Sequence, residues 1–260
     1  MGRKVSTLKR TDDDFFYGDS SSKVKSIRSK QRYPDDSKAG QLHEGKQISL
    51  KTKITPKTYG QEFYMNTLAE CTITLATGPA GCGKTWMATH YALSQLLSNK
   101  VQTLVVTKPI LEAGEEEIGF LPGELEDKVA PHFQSVLDCI EDHIGPTYAK
   151  KLLDQGKIKF LPIAYCRGRD IKNSFILIDE AQNATKKGLK LLMTRLSEGS
   201  MMAINGDDDQ CDLKDPRDSG LAWAVEKLAG KDPEIGIVQM TDADIQRHHL
   251  IKVVLKALRS

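Results

Sequence analysis

Eight residues, Gly78-Pro79-Ala80-Gly81-Cys82-Gly83-Lys84-Thr85, have the types and spacing to hold a polyphosphate. They satisfy G-x-x-x-x-G-K-[ST] at every fixed position. Glycines let a loop bend and bring backbone N–H groups against phosphate oxygens. A helix starting at the loop's end adds its positive dipole. In such a loop Lys84 reaches the β- and γ-phosphates, and the Thr85 hydroxyl ligates Mg²⁺. ATP and Mg²⁺ are therefore the expected ligands. Cys82 lies inside the loop, where oxidation would block nucleotide; no catalytic role is assigned to it.

Further polar residues fall at the ends of apolar runs. Phe175-Ile176-Leu177-Ile178 is followed by Asp179-Glu180. Asp179 is placed to hold Mg²⁺ through its water shell, and Glu180 to orient and polarise the attacking water. Gln182 and Asn183 extend this loop as candidate γ-phosphate sensors. Gly206-Asp207-Asp208-Asp209-Gln210 leaves another apolar run. Gln210 is a candidate partner of the γ-phosphate or its water. The acidic triplet is the alternative metal site, although three adjacent carboxylates on one loop rarely converge on one ion. Arg167 and Arg169 flank Gly168 behind a third run. They read either as contacts to phosphates of nucleotide or nucleic acid, or as ordinary surface charge. Gln61 offers an amide that can pair with an adenine edge, or else is a plain surface residue of a helix. His248 and His249 are adjacent, so on a helix they point about 100° apart and do not chelate. Arg247, just before them, is the cation of interest.

The elements that must position these residues alternate between apolar, β-branched runs and helical stretches. Strands are predicted at Cys71–Thr77, Val101–Thr107, Lys157–Ile163, Phe175–Ile178, Ser200–Asn205 and Ile235–Met240. Helices are predicted at Thr58–Leu68, Trp86–Leu97, Glu124–Ile144 (broken or restarted at Pro131), Thr147–Leu153, Lys187–Leu196, Ser219–Leu228 and Asp244–Leu258. This alternation predicts one α/β domain over residues 57–260: a mainly parallel sheet with helices on both faces. Strand C-terminal ends then face the ligand.

Composition sets bounds around this. The chain has 260 residues, 39% hydrophobic and 28% charged, enough for one sizeable domain plus extensions. No run of 18 apolar residues is present, which argues against a membrane span. The first residues, MGRKVSTLKRTDDDFF, carry no apolar signal core. The five cysteines show no C-x-x-C spacing and read as reduced thiols. A cytoplasmic location is the expectation. Residues 1–56 carry 13 Lys/Arg against 7 Asp/Glu, whereas the remainder is net acidic. They read as a basic, flexible N-terminal arm, with a short pairing segment near Gln47–Ile54, and either touch nucleic acid or stay solvated.

Taken together, GPAGCGKT, EAGEEEIGFLPGELEDKV, AYCRGR, IDEAQNAT and NGDDDQCDL followed by Ser219-Gly220-Leu221 resemble the PhoH family, from about Thr58 to Leu258. Its members are predicted ATPases of bacteria and their viruses. The family in turn resembles the first motor domain of superfamily-one helicases, with Gly206, Asp207 and Gln210 matching GDxxQ. The resemblance implies a RecA-like P-loop NTPase fold and ATP hydrolysis coupled to RNA or single-stranded DNA. It implies an adenine contact at Gln61, a phosphate loop over Gly78–Thr85, a Walker-B pair at Asp179 and Glu180, and a γ-phosphate contact at Gln210. Lys108-Pro109 stands where relatives usually have Arg-Pro, and Lys loses the planar, bidentate grip of Arg. Superfamily-one helicases bring arginines onto the γ-phosphate from a second motor domain. The expectation here is a hexameric ring in which a neighbouring copy supplies Arg247, Arg169 or Arg167. The alternatives are a nucleotide-switched scaffold with little turnover and a small-molecule kinase.

Overall fold

The computed structural model describes residues 41–43, 46–51, 53–110, 125–248, 250, 254 and 257. A short antiparallel hairpin comes first, β1 (Gln41–His43) and β2 (Lys46–Ile48). The pairing segment expected near Gln47–Ile54 therefore lies slightly earlier in the chain. Residues 1–40 and the acidic segment at 111–124 lie outside the described residues.

Six strands form one parallel sheet: β3 (Ile73–Thr77), β4 (Thr103–Thr107), β5 (Ile158–Phe160), β6 (Ser174–Ile178), β7 (Met201–Gly206) and β8 (Ile235–Gln239). Their order across the sheet is β5-β4-β6-β7-β3-β8, and every pairing is parallel. The pleat sorts each strand's apolar residues by parity. Leu104, Val106, Phe175 and Leu177 join one core cluster; Val105, Ile176 and Ile178 join the other. Burial on both faces is why these runs read as continuously apolar.

Helices α1 (Tyr59–Glu70), α2 (Lys84–Leu97), α3 (Leu125–Ile144) and α4 (Pro146–Asp154) cover the first face. Helices α5 (Lys186–Met193) and α6 (Gly220–Leu228) cover the second. Thr58 caps α1 by accepting from the Gln61 N–H. Tyr64, fully buried, donates to Asn205 Oδ1 at 2.5 Å and so ties α1 to the exit of β7. Gly236 has Thr67 Cγ2 where a Cβ would stand, which lets α1 lie directly on β8.

Two segments depart from the sequence prediction. The strand expected over Lys157–Ile163 stops at Phe160, because Pro162 cannot donate to the ladder and a 3-10 turn follows at Ile163–Cys166. The closing helix expected from Asp244 begins later. Asp242–Asp244 is a 3-10 turn, and Thr241 and Asp244 form its reciprocal cap. Helix α3, by contrast, continues through Pro131.

His90 on α2 and His143 on α3 meet between these helices with ring centroids 5.0 Å apart. Burial pushes both imidazoles down to about 4. A depressed imidazole binds fewer protons folded than unfolded, so stability falls as pH drops below the unfolded value near 6.5. Each pH unit between about 6.5 and 4 then removes up to roughly 1.4 kcal/mol per ring. The urea midpoint is expected to fall from pH 7 to pH 5, with a smaller fall for His90→Gln. An unchanged slope in that variant would assign the loss to other groups.

Candidate nucleotide site

Four adjacent strands, β4, β6, β7 and β3, end on one rim and send their next residues into one place. Lys108 follows β4, Asp179 and Glu180 follow β6, Asp207 and Gln210 follow β7, and the glycine loop follows β3. The cavity there, about 270 Å³, is lined by Ala80, Gly81, Gly83, Lys84, Thr85, Asp179, Glu180, Gln210 and Arg247, among others. Gly78 and Pro79 line a neighbouring cavity of about 630 Å³. The larger cavity is the lesser candidate for chemistry, since the Lys-Thr-Asp-Glu constellation faces the smaller one.

Positive φ values of 89° at Gly81 and 86° at Gly83 show why the loop requires glycine there. Gly83 is also the N-cap of α2, and no side chain caps that helix. Its first N–H groups are thus left facing the cavity, as an anion site requires. Lys84 is buried and donates to the carbonyls of Gly78 (2.5 Å) and Pro79 (3.0 Å). Burial lowers its pKa, against the opposing pull of nearby carboxylates. Here the ammonium bridges its own loop; a phosphate would offer it a stronger, charged partner.

The Thr85 hydroxyl donates to Asp179 Oδ1 at 2.7 Å. Asp179 is buried at the end of β6, and burial raises its pKa while Lys108 and Thr85 oppose that shift. Lys108 Nζ stands 3.4 Å from Asp179 Oδ2. A hydroxyl and a buried carboxylate in contact beside a phosphate loop suit a hard divalent cation such as Mg²⁺. Lys108 thus places its charge against the Asp179 carboxylate at the rim. Its signal in the sequence was only its place at a strand's C-terminal end.

Glu180 adopts a left-handed backbone, φ 55°, rare for a non-glycine residue and common at functional sites. Its carboxylate accepts from Gln182 Nε2 at 2.7 Å. Gln182, itself buried, also donates to the Gln210 carbonyl and accepts from the Asp207 N–H. Gln210 donates to Asp207 Oδ2 at 2.8 Å. One hydrogen-bonded network thus joins the exits of β6 and β7. It requires Gly206, where a Cβ would lie 2.4 Å from Leu221 and 2.7 Å from Gln182 Oε1.

Several expected residues sit differently. Gln182 and Asn183 are not in the cavity wall: the first wires the two exits, and the second pairs with Asp212. The sequence reading missed this because it could not show which way the β6 exit turns. Gln61 is buried; its amide donates to the Cys82 carbonyl and accepts from the Lys57 N–H. Through that bond it braces the loop at Cys82. Cys82 points into the core toward the Thr241 carbonyl, and burial pushes its thiol up to about 11, so it is a packing residue and not an exposed thiolate. The carboxylate of Asp207 accepts within its own turn, from the Asp209 N–H and the Gln210 amide. Arg167 and Arg169 are exposed, outside the cavity wall. Arg247 lies in that wall, so the structure places it in the cavity of its own chain.

A parallel sheet of this order, with a glycine loop after β3 and a carboxylate pair after β6 on the same rim, one strand apart, defines a RecA-like P-loop NTPase domain. The chain belongs to the PhoH-like protein family, which matches residues 53–259. It is 39% identical over 217 residues to a PhoH-like protein of Synechocystis, covering 82% of this chain and 65% of that one. It is 38% identical to a PhoH-like protein of Bacillus subtilis, covering 78% and 63%, and 37% identical to protein PhoH of Escherichia coli K12, covering 78% and 58%. The chain thus spans about six-tenths of the length of these relatives. Among solved structures, the large terminase of bacteriophage HK97 superposes with a TM-score of 0.50 at 12% identity, over 80% of this chain and 48% of that one. At that identity it shows the fold alone.

Proposed function

We propose that this chain binds ATP with Mg²⁺ and hydrolyses it, with turnover coupled to RNA or single-stranded DNA. The observation that carries the reading is the contact between Thr85 and Asp179 beside Lys84, with Glu180 in the same wall. Thr85 and Asp179 would hold Mg²⁺. When bound, the ion would supply neutralising charge to the polyphosphate. Lys84 and the α2 N–H groups would bind and orient the triphosphate. Glu180 would take the proton of the attacking water, and Gln210 would fix that water or the γ-phosphate. Gln61 sets the loop's height and, in this reading, keeps one amide hydrogen and one lone pair for the adenine edge.

Coupling to nucleic acid is supported by the GDxxQ loop and by the basic residues 1–56. The hexameric ring remains part of the proposal, with Arg167 and Arg169 on the exposed surface as its candidate contacts. No helix among the described residues is long and apolar enough to cross a membrane. Steady-state phosphate release with and without single-stranded RNA and DNA tests the coupling. The expected result is stimulation by at least one of them, weakening with added salt. Equal rates in all three conditions would leave an ATPase without this partner.

A further inference from the structure

Arg247 lies across the phosphate loop of its own chain. A Cβ built on Gly81 would meet the Arg247 side chain at three atoms, Nε at 2.7 Å and Cδ and Cγ at 2.8 Å. Gly81 thus leaves the space that the arginine occupies. The next residue back, Gln246, donates its N–H to the Gly81 carbonyl at 2.9 Å. The segment before it is fixed as well. Asp244, buried, accepts from the Gly60 N–H at 3.2 Å and from the Thr241 N–H at 2.8 Å. The Cys82 thiol donates to the Thr241 carbonyl. Residues 241–247 therefore clasp the loop from α1 to Gly81, and the clasp ends on a guanidinium.

That guanidinium is the single arginine in a wall that also holds Lys84, Asp179, Glu180 and Gln210. Among the described residues it has no carboxylate partner within ion-pair distance. Lys108 is already engaged with Asp179, which leaves Lys84 and Arg247 as the cations for a bound polyphosphate. A guanidinium offers a planar fork matched to phosphate oxygens and keeps its charge at any working pH.

We infer that Arg247 grips the terminal phosphate in cis, so that one chain supplies the arginine of its own catalytic site. The residue's position in the fold, and not its distance along the sequence, decides this. An arginine in a terminal helix reads as a donor to another copy; an arginine stacked on Gly81 serves the loop it covers. The inference rests on the ATP-hydrolysis reading above. If it holds, a neighbouring copy is not needed to complete the phosphate charge, whatever the oligomeric state.

The test uses the full chain and its Arg247→Ala, Arg247→Lys and Lys84→Ala variants. Phosphate release and the binding of ATP and ADP are measured for each variant and for mixtures. Removing one such donor is expected to lower kcat about 10²–10³-fold. ATP affinity should fall more than ADP affinity, and lysine should restore only part of the loss. A mixture of Arg247→Ala and Lys84→Ala chains should be no more active than the two apart. Regained activity in the mixture would overturn the cis assignment in favour of a trans donor. Unchanged turnover, or equal loss of ATP and ADP affinity, in Arg247→Ala would overturn the terminal-phosphate role. Full activity in Lys84→Ala would instead remove the nucleotide-site reading on which the inference stands.

Discussion

Glu180→Gln is expected to leave ATP bound and all but stop its hydrolysis. Glu180 reaches the cavity from the end of β6, one residue past the Asp179 that Thr85 touches. Its left-handed backbone aims it there, and Gln182 holds one oxygen at 2.7 Å. The other oxygen is left to receive a proton. Glutamine keeps the shape and the hydrogen-bonding reach but cannot accept that proton, so only the chemical step is removed. General-base catalysis contributes roughly 10²–10⁴-fold, and the loss in kcat should fall in that range with KM nearly unchanged. Phosphate release and equilibrium ATP binding, measured side by side, check it. A nucleotide-switched scaffold with little turnover would lose almost nothing, so the same pair of measurements separates that reading from an enzyme.

Lys84→Ala is expected to damage both nucleotide binding and turnover. The ammonium sits at the start of α2, buried, and among the described residues it donates to the Gly78 and Pro79 carbonyls. Among the described residues of the wall, Arg247 is the other positive charge offered to a triphosphate that must shed most of its water. Losing one such preorganised group costs about 3–4 kcal/mol of transition-state stabilisation, a 10²–10³-fold fall in kcat. ATP affinity falls too, because the ammonium contacts the bound nucleotide as well as the transition state. The fold should survive: the lysine closes a loop and packs no core, so the urea midpoint of the variant is expected to stay close to that of the parent. A midpoint shifted by several kcal/mol would mean that the residue serves the fold and that its loss of activity reports on unfolding.

Much of this site is legible in the sequence because its parts are punctuated. A glycine pattern fixes a backbone path, and two carboxylates after four apolar residues can only leave the rim of a buried strand. The sheet itself was legible for the same reason: runs such as Phe175–Ile178 are apolar on both parities and must be covered on both faces. What the sequence could not show was direction. Gln182 looked like a phosphate sensor because it follows Glu180, but the 3-10 turn at Ala181–Asn183 swings it inward to join β6 to β7. Lys108 looked like a weakened arginine, but its neighbour across the sheet is Asp179, a fact of strand order that no local pattern encodes. Arg247 looked like the start of a helix because the residues after Asp244 suit one. The reciprocal cap between Thr241 and Asp244 instead closes a single 3-10 turn there, and the chain runs on over Gly81.

Single-turnover phosphate release tests the central claim most directly. The purified chain, in excess over ATP, is given Mg²⁺ and the release of phosphate is followed in time. Hydrolysis of the bound ATP that requires Mg²⁺ and disappears in Glu180→Gln while ATP stays bound is the predicted result. ATP held firmly with Mg²⁺ and never cleaved by the parent chain, with or without single-stranded RNA or DNA, would contradict it.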